Sequence, residues 1–269
     1  MEGSRSCPFH RCFENWINQQ EKDLNELDQV AKEDRRNEEK LKNIAEKNIK
    51  HFQEYHEKRT LLVKEDPSSS FSPSWTTPFE NSFLWIAGCR PTLAIQLVYT
   101  LCGAELEANL EEFLQGIRRG NLGELSCVQL GLVNELHCKT VKEEEKISNR
   151  LEALQEDIGE QQLASFINIS DTGSSILMSS SVNDCETNGL IMNKAIDDHA
   201  AELASIWEEA DRLRLKTVKE LVHILTPLQA VDFLVAAKKL YLSMHEWGRT
   251  RRDSNPQHFV TNPHEFNLS

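Results

Sequence analysis

From Phe13 to Val30 the apolar positions fall at 13, 16, 17, 24, 27 and 30, steps of mostly three, four or seven that trace one face of a helix. A charged interruption from Lys32 to Glu39 stops the stripe, which resumes at Leu41, Ile44, Phe52, Tyr55 and Leu62. A Pro/Ser-rich stretch over 66–78 breaks the pattern and reads as a flexible linker. Phe79 to Trp85 predicts a short apolar helix. Pro91 suits the first turn of the next one, where its missing N–H has no intrahelical partner to lose. That helix carries Leu93, Leu97, Leu101 and later Leu110, Phe113 and Leu114, with Gly103 as a candidate break.

Ser126-x-x-Gln129 is a capping box ahead of a long periodic run, Leu132, Leu136, Thr140, Ile147, Leu151, Leu154 and Ile158. Its span of about 40 residues is roughly twice the usual helix length. A Ser-rich stretch over 169–189 reads as a loop. Ile196, His199, Leu203, Ile206, Trp207, Ala210 and Leu213 then restart the helical stripe. Thr226-Pro227-Leu228-Gln229 is a second capping box. The helix it opens is apolar on most sides, which predicts a central place, and Gly248 is placed to end it. The fold class expected is therefore all-α, a multi-helix bundle with one very long central helix. The boundaries read as an N-terminal tail over 1–8, a helical domain over 9–249 and a disordered C-terminal tail over 250–269.

Composition narrows the function. The 269 residues are 39% hydrophobic and 27% charged, with a net charge of −13. An acidic surface disfavours direct binding to nucleic acid or to anionic membrane, because both depend on Lys and Arg neutralising phosphate. No run reaches the ~18 uncharged apolar residues that a membrane helix needs. Seven scattered cysteines without a C-x-x-C pair point to reduced thiols in the nucleus and/or cytoplasm.

Catalytic motifs are missing. There is no phosphate-cradling glycine loop, no H-E-x-x-H and no G-x-S-x-G. Cys7-x-x-His10-x-Cys12 lacks the second ligand pair that a structural zinc requires. Cys127, His137 and Cys138 on the long helix read as small buried groups, and His199 as a satisfied core histidine. No metal is expected, and the chain is expected not to be an enzyme.

Several segments stand together in a recognisable order. They are Phe13-Glu14-Asn15-Trp16-Ile17, His51-Phe-Gln-Glu-Tyr55, Trp85-Ile-Ala-Gly-Cys-Arg90-Pro91 and Leu125-Ser126-Cys-Val-Gln129-Leu130, then Ala210-Asp211-x-Leu213-Arg214, Leu225-Thr-Pro-Leu-Gln-Ala230 and His245-Glu246-Trp247-Gly248. In this order the chain resembles the Delay-of-Germination family, the plant seed-dormancy-control domain that also follows the basic zipper in TGA-type transcription factors.

The resemblance implies a non-enzymatic regulator of dormancy, germination or abscisic-acid and stress signalling. It implies protein partners, type-2C protein phosphatases among them, and self-association as a homodimer. Because the resemblance begins near residue 9, no basic zipper is expected ahead of it. A transcriptional role through a DNA-binding partner is the alternative. Haem is a further one. In haem-binding members two histidines four apart near the end of the last helix are implicated. Here His245 is kept and Tyr241 stands where the other would be, so His245 and Tyr241 are the candidate haem residues. Phe13, Trp16 and Ile17 form the candidate partner-binding cluster, suited to helix-in-groove contact. The competing reading is that they staple the first helix onto the bundle.

Overall fold

The computed structural model describes residues 7–67, 73, 75–117, 119–172 and 182–254. These residues form α-helices without a strand among them, as the periodicity predicts: α1 Pro8–Glu33, α2 Glu38–Glu65, α3 Pro78–Asn81, α4 Pro91–Ala108, α5 Leu110–Leu114, α6 Cys127–Thr172, α7 Val182–Ile224 and α8 Pro227–Ser254. A single 3-10 turn, Leu122–Glu124, precedes α6. No helix among the described residues is long and apolar enough to cross a membrane.

Local chemistry sets most helix ends. Asn37 caps α2 by accepting from the Lys40 amide at 3.1 Å, beside Glu38 and Glu39 in the first turn. Both expected capping boxes form. The Gln129 amide donates to Ser126 Oγ at 3.2 Å, and Gln129 Oε1 accepts from the Ser126 amide at 3.0 Å. Thr226 and Gln229 repeat the exchange on α8. The two boxes also interlock, because Gln129 Nε2 donates to Gln229 Oε1 at 2.8 Å and to the Ile224 carbonyl at 3.0 Å. Two helix starts distant in sequence thereby hold each other in register.

The main core joins the helices through Leu27, Leu41, Ile44, Ile95, Val98, Val133, Leu221 and Phe233. A second cluster sets Ile86 against Ile147, Ile206, Ala210 and Leu213. A third gathers Phe9, Val63, Ala204 and Trp207.

Several expectations change. The long run forms α6, but α6 packs mainly against α7 and α4 and is a flank of the bundle rather than its centre. The central positions belong to α2 and α8. Helix continues to Thr172 and resumes at Val182, so the Ser-rich loop is shorter than 169–189, and residues 173–181 lie outside the described ones. Most of the linker over 68–74 also lies outside them, as do the tails over 1–6 and 255–269.

Gly103 does not break α4, which ends at Asn109 instead. Phe79 to Trp85 is helical only through Asn81. Gly248 does not terminate α8 either. A Cβ built there would meet Thr77 Oγ1 at 2.1 Å, so the glycine lets α8 approach the capping box of α3 and the helix runs on to Ser254. Cys127 and Cys138 are exposed rather than buried, and His199 Nδ1 is buried without a hydrogen-bond partner among the described residues.

Candidate functional site

Trp85 to Gly88 is the most constrained stretch of backbone. Ile86 and Ala87 have φ of 46° and 53°, a left-handed pair that L-residues adopt only at a cost. The Trp85 amide donates to the Gly88 carbonyl at 2.7 Å, which closes a tight turn. Two buried arginines offset the strain by binding its carbonyls. Arg59 Nη2 donates to the Ala87 carbonyl at 2.8 Å, and Arg214 donates to the carbonyls of Trp85, Ile86 and Cys89. Gly88 is required by this contact, since a Cβ would stand 2.7 Å from Arg214 Cζ.

Asp211 balances the guanidiniums. It accepts from Arg214 Nη1 at 2.5 Å and from Trp207 Nε1 at 3.1 Å, and Arg59 Nε lies 3.7 Å away. Burial alone would raise its pKa, but Arg59, His56 and Arg214 outweigh burial and hold the carboxyl well below the ordinary range. His56 Nδ1 stands 2.9 Å from Asp211 Oδ2 without the alignment of a directed hydrogen bond. Burial overcomes the attraction of Asp211 and lowers the His56 pKa, which keeps the ring neutral. Arg59 also lies over the faces of Trp207 and Tyr55, 4.6 Å and 5.3 Å from their centroids.

Above this cluster α1, α2, α7 and α8 leave a cavity of about 240 Å³. Its walls are aromatic. Trp16 stacks on Tyr55 at 4.2 Å and Phe9 on Trp75 at 5.1 Å. Lys238 crosses one side, donating to Gln20 Oε1 at 2.8 Å and to Asp23 Oδ2 at 3.1 Å. Asp23 also faces His51 at 2.8 Å, so α1, α2 and α8 meet on one carboxylate.

Phe13, Trp16 and Ile17 point into the bundle and are buried. Phe13 meets the edge of His245 at 5.6 Å, and Trp16 stacks on α2, so the three do not make an exposed face. They are placed as the stapling reading requires.

Tyr241 and His245 lie one turn apart on α8 but face different surroundings. Tyr241 lines the cavity, and burial pushes its phenol well above the usual pKa, against formation of a tyrosinate. His245 is not among the lining residues, and its Nδ1 lies 2.8 Å from Glu80 Oε1. Tyr241 is turned into the cavity and His245 toward Glu80, so the two do not converge on one space. The cavity is also smaller than the ~300–1,000 Å³ of ordinary cofactor pockets. These residues do not fit a haem. Among the described residues no cluster of three or more His, Cys, Asp or Glu is placed to hold a metal ion.

The outer surface adds one feature that periodicity missed. Leu240 and Trp247, seven apart on α8, are 46% and 56% exposed, although α8 packs against α1, α2, α3, α4 and α7 on its other sides. A helix apolar all round reads as buried. Here the apolar excess reaches solvent because nothing among the described residues covers that stripe.

Comparison with known proteins places these features. A family model described as "Seed dormancy control" matches residues 23–100. Protein DOG1-like 3 of Arabidopsis thaliana is 33% identical over 250 residues, covering 90% of this chain and 84% of the relative. Protein DOG1-like 2 of the same plant is 34% identical over 250 residues, covering 90% and 91%. Transcription factor TGA2.3 of rice (Oryza sativa subsp. japonica) is 26% identical over 235 residues, 87% of this chain but 62% of that protein. Identity at this level over 90% of the chain shows that the chain belongs to the DOG1-like family of seed dormancy control proteins, with a more distant relation to the TGA transcription factors.

Proposed function

We propose that this chain is a non-enzymatic regulator of seed dormancy and germination, within abscisic-acid and stress signalling, that works by protein–protein contact. Type-2C protein phosphatases are the partner class that the family resemblance implies, and the site of action is the nucleus and/or cytoplasm. The observation that carries the reading is the outward pair of large apolar side chains on α8, Leu240 and Trp247, on a helix whose other sides pack against the bundle. Exposed aromatic and aliphatic side chains on a rigid helix are the kind of anchor that dominates protein interfaces. The same stripe suits self-association as a homodimer. Titration calorimetry of the purified chain with a purified type-2C phosphatase tests the reading. Saturable binding is expected, and an absence of heat or complex with both proteins folded contradicts it.

A second reading is favoured by the 235-residue similarity to TGA2.3: a transcriptional regulator that reaches DNA through a zipper partner. With a net charge of −13, the chain alone is expected to give no salt-sensitive DNA mobility shift. It is expected to supershift a complex of DNA with a TGA-type protein.

A further inference from the structure

The walls of the central cavity are mostly rings. Trp207 and Tyr241 line it beside the stacked pairs Trp16–Tyr55 and Phe9–Trp75. The charged side chains of the lining close among themselves and their neighbours. Arg59 and Arg214 hold the turn carbonyls and face Asp211, at 3.7 Å and 2.5 Å. Lys238 donates to Asp23 and Gln20, and Glu80 accepts from the Thr77 amide and lies 2.8 Å from His245. The cations Arg59, Arg214 and Lys238 are thus set against the carboxylates Asp211, Asp23 and Glu80, which leaves the walls no excess charge for a ligand to neutralise. Gln20, Asn48 and His56 do not change this balance, because Gln20 Nε2, Asn48 Oδ1 and both ring nitrogens of His56 are buried within the walls.

We propose that the cavity binds an uncharged, apolar aromatic compound of one or two rings, held by ring stacking and apolar contact without an ion pair. Size sets the ring count. A dry cavity of roughly 150 Å³ with apolar walls holds benzene, and about 240 Å³ leaves room for a second ring. Wall chemistry sets the aromatic class. Any hydrocarbon of this size gains from leaving water, but only an aromatic one adds offset or edge contacts with the rings around it. Charge is excluded by its cost: an ion would give up its water shell and find every counter-ion already engaged.

Naphthalene, tetralin and naphthoate share one carbon skeleton and differ in ring saturation and charge, so they serve as probes for calorimetry on the full chain. Saturable, equimolar binding of naphthalene is expected. Tetralin, with one ring saturated, should bind about two- to tenfold more weakly, the worth of one aromatic pair. Naphthoate should be weaker than naphthalene by about tenfold or more, because its carboxylate must be desolvated. Ala237 lines the cavity from α8, and Ala237→Phe should abolish naphthalene binding with helicity retained in circular dichroism. The wild-type titrations decide the proposal even where that variant fails to fold. Failure of naphthalene to saturate the folded wild-type protein overturns it. So does tetralin or naphthoate binding as tightly as naphthalene, or unchanged naphthalene binding by folded Ala237→Phe.

Discussion

Asp211 holds two guanidiniums, an indole and an imidazole at one buried point, and the strained turn depends on the arginines that it fixes. Asp211→Asn removes the negative charge and leaves Arg59 and Arg214 facing each other. Breaking a buried pair in this way costs about 3–5 kcal/mol, so a fall of that size is expected in the unfolding free energy from urea titration. His56 sets the acid sensitivity. Its folded pKa lies below the unfolded value of 6.5, so the unfolded chain takes up the proton first as the pH drops. Stability from this group is complete above the unfolded value and is lost below it, at up to ~1.4 kcal/mol per pH unit. Asp211, whose pKa is depressed in the same sense, adds a second loss once the pH approaches its unfolded value of 3.8. The melting temperature should therefore decline between about pH 7 and pH 5, and His56→Gln should flatten that decline.

At the scale of elements, glycines and caps separate what sequence patterns reveal from what they hide. Gly248→Ala should destabilise the protein, because its Cβ would overlap Thr77 Oγ1, whereas nothing lies within 4 Å of a Cβ at Gly103. Gly103→Ala in the middle of α4 should stabilise by roughly 0.5–1 kcal/mol. Opposite shifts in thermal melting check the pair. Both capping boxes and the α1/α2 break were legible because they are local: a Ser or Thr three residues before Gln, and a charged interruption of an apolar stripe. The role of Gly248 was not, since it is set by Thr77, which lies 171 positions away in the chain. The left-handed pair Ile86 and Ala87 was equally hidden, because no propensity favours a β-branched residue there and the arginines that stabilise it come from α2 and α7. The cavity followed the same logic. Its aromatic residues read as core stripes, and only packing reveals that they leave a space of about 240 Å³ between the helices.

On the scale of the whole molecule, interior and surface have separate tasks. The buried network and cavity sit among α1, α2, α7 and α8, while the unpaired apolar stripe faces outward along α8. Substitution of the stripe should therefore spare the fold, whereas substitution of Phe13, Trp16 or Ile17 should cost stability, with about 3–5 kcal/mol expected for Phe13→Ala or Trp16→Ala. Partner contact through α8 is tested most directly by calorimetry of a type-2C phosphatase against wild-type protein and the Leu240→Ser/Trp247→Ser double variant, with melting temperatures measured alongside. We expect wild-type binding to weaken by about 100-fold or more in the variant, the loss of a hot spot worth ≥ ~2.7 kcal/mol, at an unchanged melting temperature. Equal affinity of the two proteins would contradict it.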